Sequence, residues 1–193
     1  MPQPTPFVFG KLPAHGDFIM RGLTQASRQV WDDWASDVMQ AMRDQAGESF
    51  EAWHDAAPPW RFVVGGGVLA ADWSIGAVAP SIDSAGRRFL VVLGVQGLTP
   101  AGAVSLALPV AETLEQLIYH TLGSGLDADA TLAEIAQQLG EILQASAPVI
   151  AGLDARPAVE GLWWSGADPQ SIVGAAPPRQ IFGVGSSSLE GAL

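Results

Sequence analysis

The chain has 193 residues with 9 Lys+Arg against 20 Asp+Glu, a formal net charge of −11, and only 15% of its residues are charged against 48% apolar. That balance excludes whole-chain disorder, which needs low hydrophobicity, and argues against nucleic acid and anionic membrane surfaces, whose binding rests on Lys and Arg. The absence of cysteine removes disulfides, thiolate catalysis and Cys-type zinc sites together.

Phe7-Val8-Phe9 reads as a short strand that opens into the Gly/Pro-punctuated loop Gly10-Lys11-Leu12-Pro13-Ala14-His15-Gly16-Asp17. From Ser27 to Ala46, Trp31, Trp34, Val38 and Met42 share one face and Asp33, Asp37, Gln40 and Asp44 another, the pattern of an amphipathic helix with Ser27 as N-cap and Gly47 as stop. A helical turn over Glu48 to His54 is expected to end before Pro58-Pro59. Trp60 to Val64, Ile75 to Ala79 and Phe89 to Val95 read as strands. Their connections are too short for crossover helices, so antiparallel pairing follows, and the unbroken apolarity of the third suggests cover on both faces. Helices follow over Val110 to Leu122 and Leu132 to Leu143, the latter with Thr131 and Glu134 spaced as a capping box. Gly161-Leu162-Trp163-Trp164-Ser165 is a last strand. Residues 1–178 are expected to form one α/β layered domain, and 179–193 a flexible Gly/Ser-rich tail. The first ten residues lack a signal-peptide pattern and no stretch approaches a membrane span, so a cytoplasmic protein without membrane insertion is expected.

The chemistry-bearing residues form no complete catalytic set. There is no G-x-S-x-G elbow, and His15, His54 and His120 are the only imidazoles. Asp127-Ala128-Asp129-Ala130-Thr131 matches the D-x-D-x-T pattern of aspartate-nucleophile phosphatases, but it precedes a helix, where acids cap amides and favour the dipole. His15-Gly16-Asp17 and His54-Asp55 are the only close His/carboxylate pairs, too few ligands for a metal. No nucleotide motif surrounds Lys11, the sole lysine, and no cofactor is expected. In Pro80 to Phe89, Ser81, Asp83 and Gly86 serve a turn, while Arg87 either braces the fold through Asp83 or Asp17 or receives an acidic partner. Arg61 is placed to stack on an indole.

Taken in order, Phe9-Gly10-Lys11-Leu12-Pro13-Ala14-His15-Gly16-Asp17-Phe18-Ile19, Arg21-Gly22-Leu23, Trp31-Asp32-Asp33-Trp34, Ala57-Pro58-Pro59-Trp60-Arg61-Phe62, Gly76 to Asp83, Gly86-Arg87-Arg88-Phe89 and Leu162-Trp163-Trp164 resemble the TagF (ImpM-like) accessory proteins of bacterial type VI secretion systems. The resemblance implies a three-layer αβα sandwich with a mixed, largely antiparallel central sheet. It further implies a cytoplasmic, non-enzymatic protein that restrains type VI secretion after translation by protein–protein interaction. Its expected partners are components of the secretion system, the forkhead-associated scaffold protein among them. No catalytic residues carry over. Motif position singles out Lys11, His15, Asp17, Arg21, Ser81, Asp83 and Arg87 as a cluster with an interaction or a structural role. The alternative is a small hydrolase or phosphatase-like enzyme using His15/Asp17 or Asp127/Asp129.

Overall fold

The structure is a computed structural model that describes residues 3–151, 161–165, 171–173 and 182. Seven strands form one sheet: β1 (Thr5–Gly10), β2 (Ile19–Arg21), β3 (Trp60–Val64), β4 (Trp73–Ile82), β5 (Arg88–Leu98), β6 (Gly161–Ser165) and β7 (Ser171–Val173). Their order is β2-β1-β5-β4-β3-β6-β7. All described strand pairs run antiparallel, as the short connections require for β3, β4 and β5. Helices α1 (Gln25–Ala46) and α2 (Phe50–Ala56), joined by a 3-10 turn over Gly47–Ser49, cover one face, and α3 (Pro100–Ser124) and α4 (Ala128–Ala151) the other. This is a single-domain, three-layer αβα sandwich.

Alternation along β5 explains why it reads as continuously apolar. Leu90 and Val92 face the α1 layer, whereas Val91, Leu93 and Val95 face α3 and α4. Every second side chain from Leu90 to Val95 feeds a different core, so none of these positions is polar. The α1 core is aromatic, and one row of cross-strand partners runs through it: Phe7 opposite Gly94, Gly94 opposite Gly76, Gly76 opposite Phe62, and Phe62 opposite Trp163. The paired glycines leave a trough in the sheet that the two phenylalanine rings fill. A Cβ on Gly94 would stand 2.2 Å from Phe7 Cζ, and one on Gly76 2.4 Å from Phe62 Cζ. Trp31 of α1 sits between both rings, at centroid distances of 5.4 and 5.5 Å.

Helix boundaries differ from the periodicity reading for identifiable reasons. Thr24, rather than Ser27, caps α1: its hydroxyl accepts from the Ser27 amide at 3.2 Å, the N-cap to N3 bond. Gly47 does stop the helix, with φ of 53°. Helix α3 begins ten residues early. Thr99 caps it and Pro100 occupies its first turn, where a missing N–H costs nothing. It continues through Pro109 because Leu106 and Val110 are buried on either side. Asp127, not Thr131, caps α4, accepting from the Ala130 amide at 2.8 Å. Thr131 lies inside the helix and donates to the Asp127 carbonyl at 2.7 Å.

The rims of the sheet are short. β2 and β7 have three residues each, and β2 covers only Val8 to Gly10 of β1. Of the tail expected after residue 178, Phe182 alone is described, buried in the α1 core; the rest lies outside the described residues. No helix among them is long and apolar enough to cross a membrane.

Candidate functional site

The loop that follows β1 is turned by Gly10, whose φ of 111° excludes side chains. A Cβ there would lie 2.0 Å from the Leu90 carbonyl oxygen, which instead accepts from the Lys11 amide at 2.9 Å. Leu12, fully buried, anchors the loop in the α3/α4 core. Lys11 is thereby aimed at the hairpin between β4 and β5, where Asp83 waits 72 positions away in sequence.

Asp83 collects four donors on one buried carboxylate. Oδ2 accepts from Lys11 Nζ at 2.8 Å and Arg87 Nε at 2.7 Å; Oδ1 accepts from the Ala85 and Arg87 amides at 3.0 and 2.9 Å. The Lys11 ammonium above all, then the Arg87 amide and guanidinium and the Ala85 amide, outweigh burial and hold this carboxyl well below the usual range. Around it, Ser81 Oγ donates to the Lys11 carbonyl at 2.8 Å, the Ser84 amide to the His15 carbonyl at 2.9 Å, and Arg87 Nη2 to the Gly16 carbonyl. Loop and hairpin are latched together through Asp83, and Arg87 chooses Asp83 over Asp17.

The remaining predicted residues tie this latch to α4. His15 Nε2 accepts from the Ala128 amide at 3.0 Å, satisfying an N–H in the first turn of α4. Arg21 Nε donates to Asp129 Oδ1 at 2.7 Å across an exposed surface. Lys11, His15, Ser81, Asp83 and Arg87 therefore form one connected network and Arg21 a neighbouring strut. Asp17 stays exposed, without a hydrogen bond or ion pair among the described residues. The groups that a hydrolase would use lie close together but are engaged: Asp127 in its cap, Asp129 with Arg21, and the His15 acceptor nitrogen with Ala128. Among the described residues no cluster of three or more His, Asp and Glu could hold a metal.

Two polar centres have partners that the sequence reading did not give them. Arg61 does not stack on an indole; its guanidinium bonds Glu115 and, at 3.1 Å, Glu112 on α3. Alternation around Trp60 and Phe62 could have shown this, since it turns Arg61 toward the opposite face of the sheet, where α3 lies. His54 is buried and faces oxygen on both ring nitrogens, the Phe89 carbonyl at 2.7 Å and Asp55 at 3.0 Å. Hydrogen bonds from Arg88 and then His54 lower the Asp55 carboxyl to about 2. A groove of about 340 Å³ adjoins this centre and the latch, lined by residues including Pro13, His54, Asp55, Ser81 and Tyr119.

The αβα layers and a motif network spent on internal bonds define a small sandwich domain, with no catalytic constellation assembled among the described residues. The model of the TagF N-terminal domain, type VI secretion system-associated, matches residues 8–142, and the chain belongs to that family. Its fold is similar to the crystal structure of PA0076 from Pseudomonas aeruginosa PAO1, with a TM-score of 0.71 and 23% identity over 93% of this chain and 92% of that one. No curated protein matches the chain.

Proposed function

We propose that this protein is a cytoplasmic, non-enzymatic accessory factor that restrains type VI secretion after translation by binding a component of the system. The forkhead-associated scaffold protein is the first candidate partner. Family membership across residues 8–142 carries the reading. The site supports it: Lys11, His15, Ser81, Asp83 and Arg87 bond one another or the backbone, so the cluster acts as a brace that shapes the surface around it.

The test is a deletion strain with an active type VI system, complemented by tagged protein. Secretion should rise on deletion and fall on complementation, the scaffold protein should co-purify with the tag, and the tagged protein should be absent from the assembled machine or substoichiometric in it. Unchanged secretion together with no co-purifying component would sink the proposal. Stoichiometric presence in the machine would instead mark a structural subunit.

A further inference from the structure

We infer that the groove beside the latch receives a segment of a partner protein that inserts an apolar side chain flanked by Lys or Arg. This rests on the binding reading above and names the surface and chemistry involved. The groove has about 340 Å³, within the roughly 300–1,000 Å³ typical of ligand pockets, and Pro13, Pro59, Pro80, Ile118, Tyr119 and Leu122 are among its lining residues. The three prolines come from three separate motif segments: the loop after β1, the approach to β3 and the end of β4. Proline walls are rigid, so little backbone freedom is lost on binding.

Two polar side chains of the groove are already engaged within the protein, and Asp55 is its one charged lining residue. His54 is bonded to Phe89 and Asp55, and Ser81 to the Lys11 carbonyl. An occupant therefore meets apolar surface inside, which selects an apolar side chain.

The rim sets the charge. On one flank the lining residue Asp55 and its neighbour Glu51 share the single cation Arg88; on the other, behind Tyr119 and outside the groove's own lining, Glu112 and Glu115 share Arg61. Each flank keeps one negative charge in excess. Helix α3 also ends here, and its last turn has no basic residue to offset the negative end of its dipole. On the remaining side Lys11 and Arg87 share Asp83, with the Arg87 side chain 56% exposed; this excess positive charge leaves the three sides together one negative. Tyr119, half exposed, offers a ring face to a cation. Its hydroxyl pKa is raised by burial and then by Glu115, consistent with a negative surrounding.

Selection of a displayed library of random 12-residue peptides against the intact protein tests this, with the most enriched peptide then labelled with fluorescein for anisotropy. The expected winners carry an apolar residue flanked by Lys or Arg. Reversing those charges to Glu should weaken binding at least about tenfold, as should Leu122→Arg or Tyr119→Ala in the protein. Tyr119→Ala should keep the wild-type circular dichroism and urea midpoint, whereas Leu122→Arg, whose side chain also packs against the α3/α4 core, should keep the circular dichroism at a lower midpoint. Failure to enrich any peptide, enrichment of acidic or polar ones, or unchanged binding by Leu122→Arg would overturn the inference. So would a wild-type dimer in sedimentation that Leu122→Arg dissociates, which would make the groove a contact between copies. If Leu122→Arg still co-purifies the secretion component, the groove is refuted while the regulatory reading stands. If the peptide binds the groove yet wild-type protein captures no component, the regulatory reading is the one that fails.

Discussion

Replacing Gly94 by alanine is ordinarily mild in a strand, and by reducing unfolded-chain freedom it can stabilise by about 0.4–1 kcal/mol. Here the new methyl would stand 2.2 Å from Phe7 Cζ, where ordinary contact begins at 3.4 Å. The ring must retreat more than an ångström, yet Phe7 is fully buried and Trp31 packs on it at 5.4 Å. Overpacking of this kind costs about 1–3 kcal/mol, so net destabilisation of about 1–2 kcal/mol is expected. Gly140→Ala is the control: nothing lies within 4 Å of its added carbon, and in helix α4 it should stabilise by about 0.5–1 kcal/mol. Urea unfolding followed by tryptophan fluorescence reads both. Shrinking the ring with Phe7→Leu in the Gly94→Ala background should recover part of the loss, giving a favourable coupling of about 0.5–3 kcal/mol in a double-mutant cycle. A neutral or stabilising Gly94→Ala, or strict additivity with Phe7→Leu, would refute the trough as the reason for the glycine pair.

The remaining expectations concern the latch and the helix ends. Asp83→Ala should lower the urea midpoint more than Lys11→Met, because it strands a shielded ammonium and two amides, whereas Asp83 without Lys11 keeps Arg87; the reverse order would contradict the bonding described. Asp83 and Asp55 have folded pKa values below the ordinary aspartate value of 3.8, so their contribution is present above that pH and lost as pH falls, for Asp55 between about 4 and 2. Acid titration of stability should therefore be shallower in Asp55→Asn over that window, and an unchanged slope would count against the Arg88 pair. Asp127→Ala should cost about 1 kcal/mol through loss of the α4 cap, measured by thermal unfolding, while Thr131→Val should leave the cap intact.

What the sequence could reveal followed the range over which each signal acts. Strand β3 and strand β6 were read to the residue because their apolar runs end at sharp punctuation, and α1 because its tryptophans recur on one face. Strands β2 and β7 were missed: three residues cannot establish an alternation. The first turns of α3 were missed because Pro109 reads as a breaker until the burial of Leu106 and Val110 is known. At the site, the Arg87–Asp83 pair was foreseeable from its four-residue spacing. Lys11 reaching Asp83 across 72 positions and His15 reaching Ala128 across 113 depend on tertiary geometry that no local pattern encodes.

The short rims of the sheet bear on how this protein can be approached at all. A three-residue border strand offers an incoming chain two or three hydrogen bonds, too few to template strand addition. Beyond β2, the exposed margin of β1 carries Pro6, which has no N–H to donate, and its carbonyl is crowded by Gly22. Such margins discourage edge-to-edge polymerisation in a protein whose interior strands are almost wholly apolar. Among the described residues, they leave recognition to side chains on the flanks and ends of the sandwich rather than to its backbone.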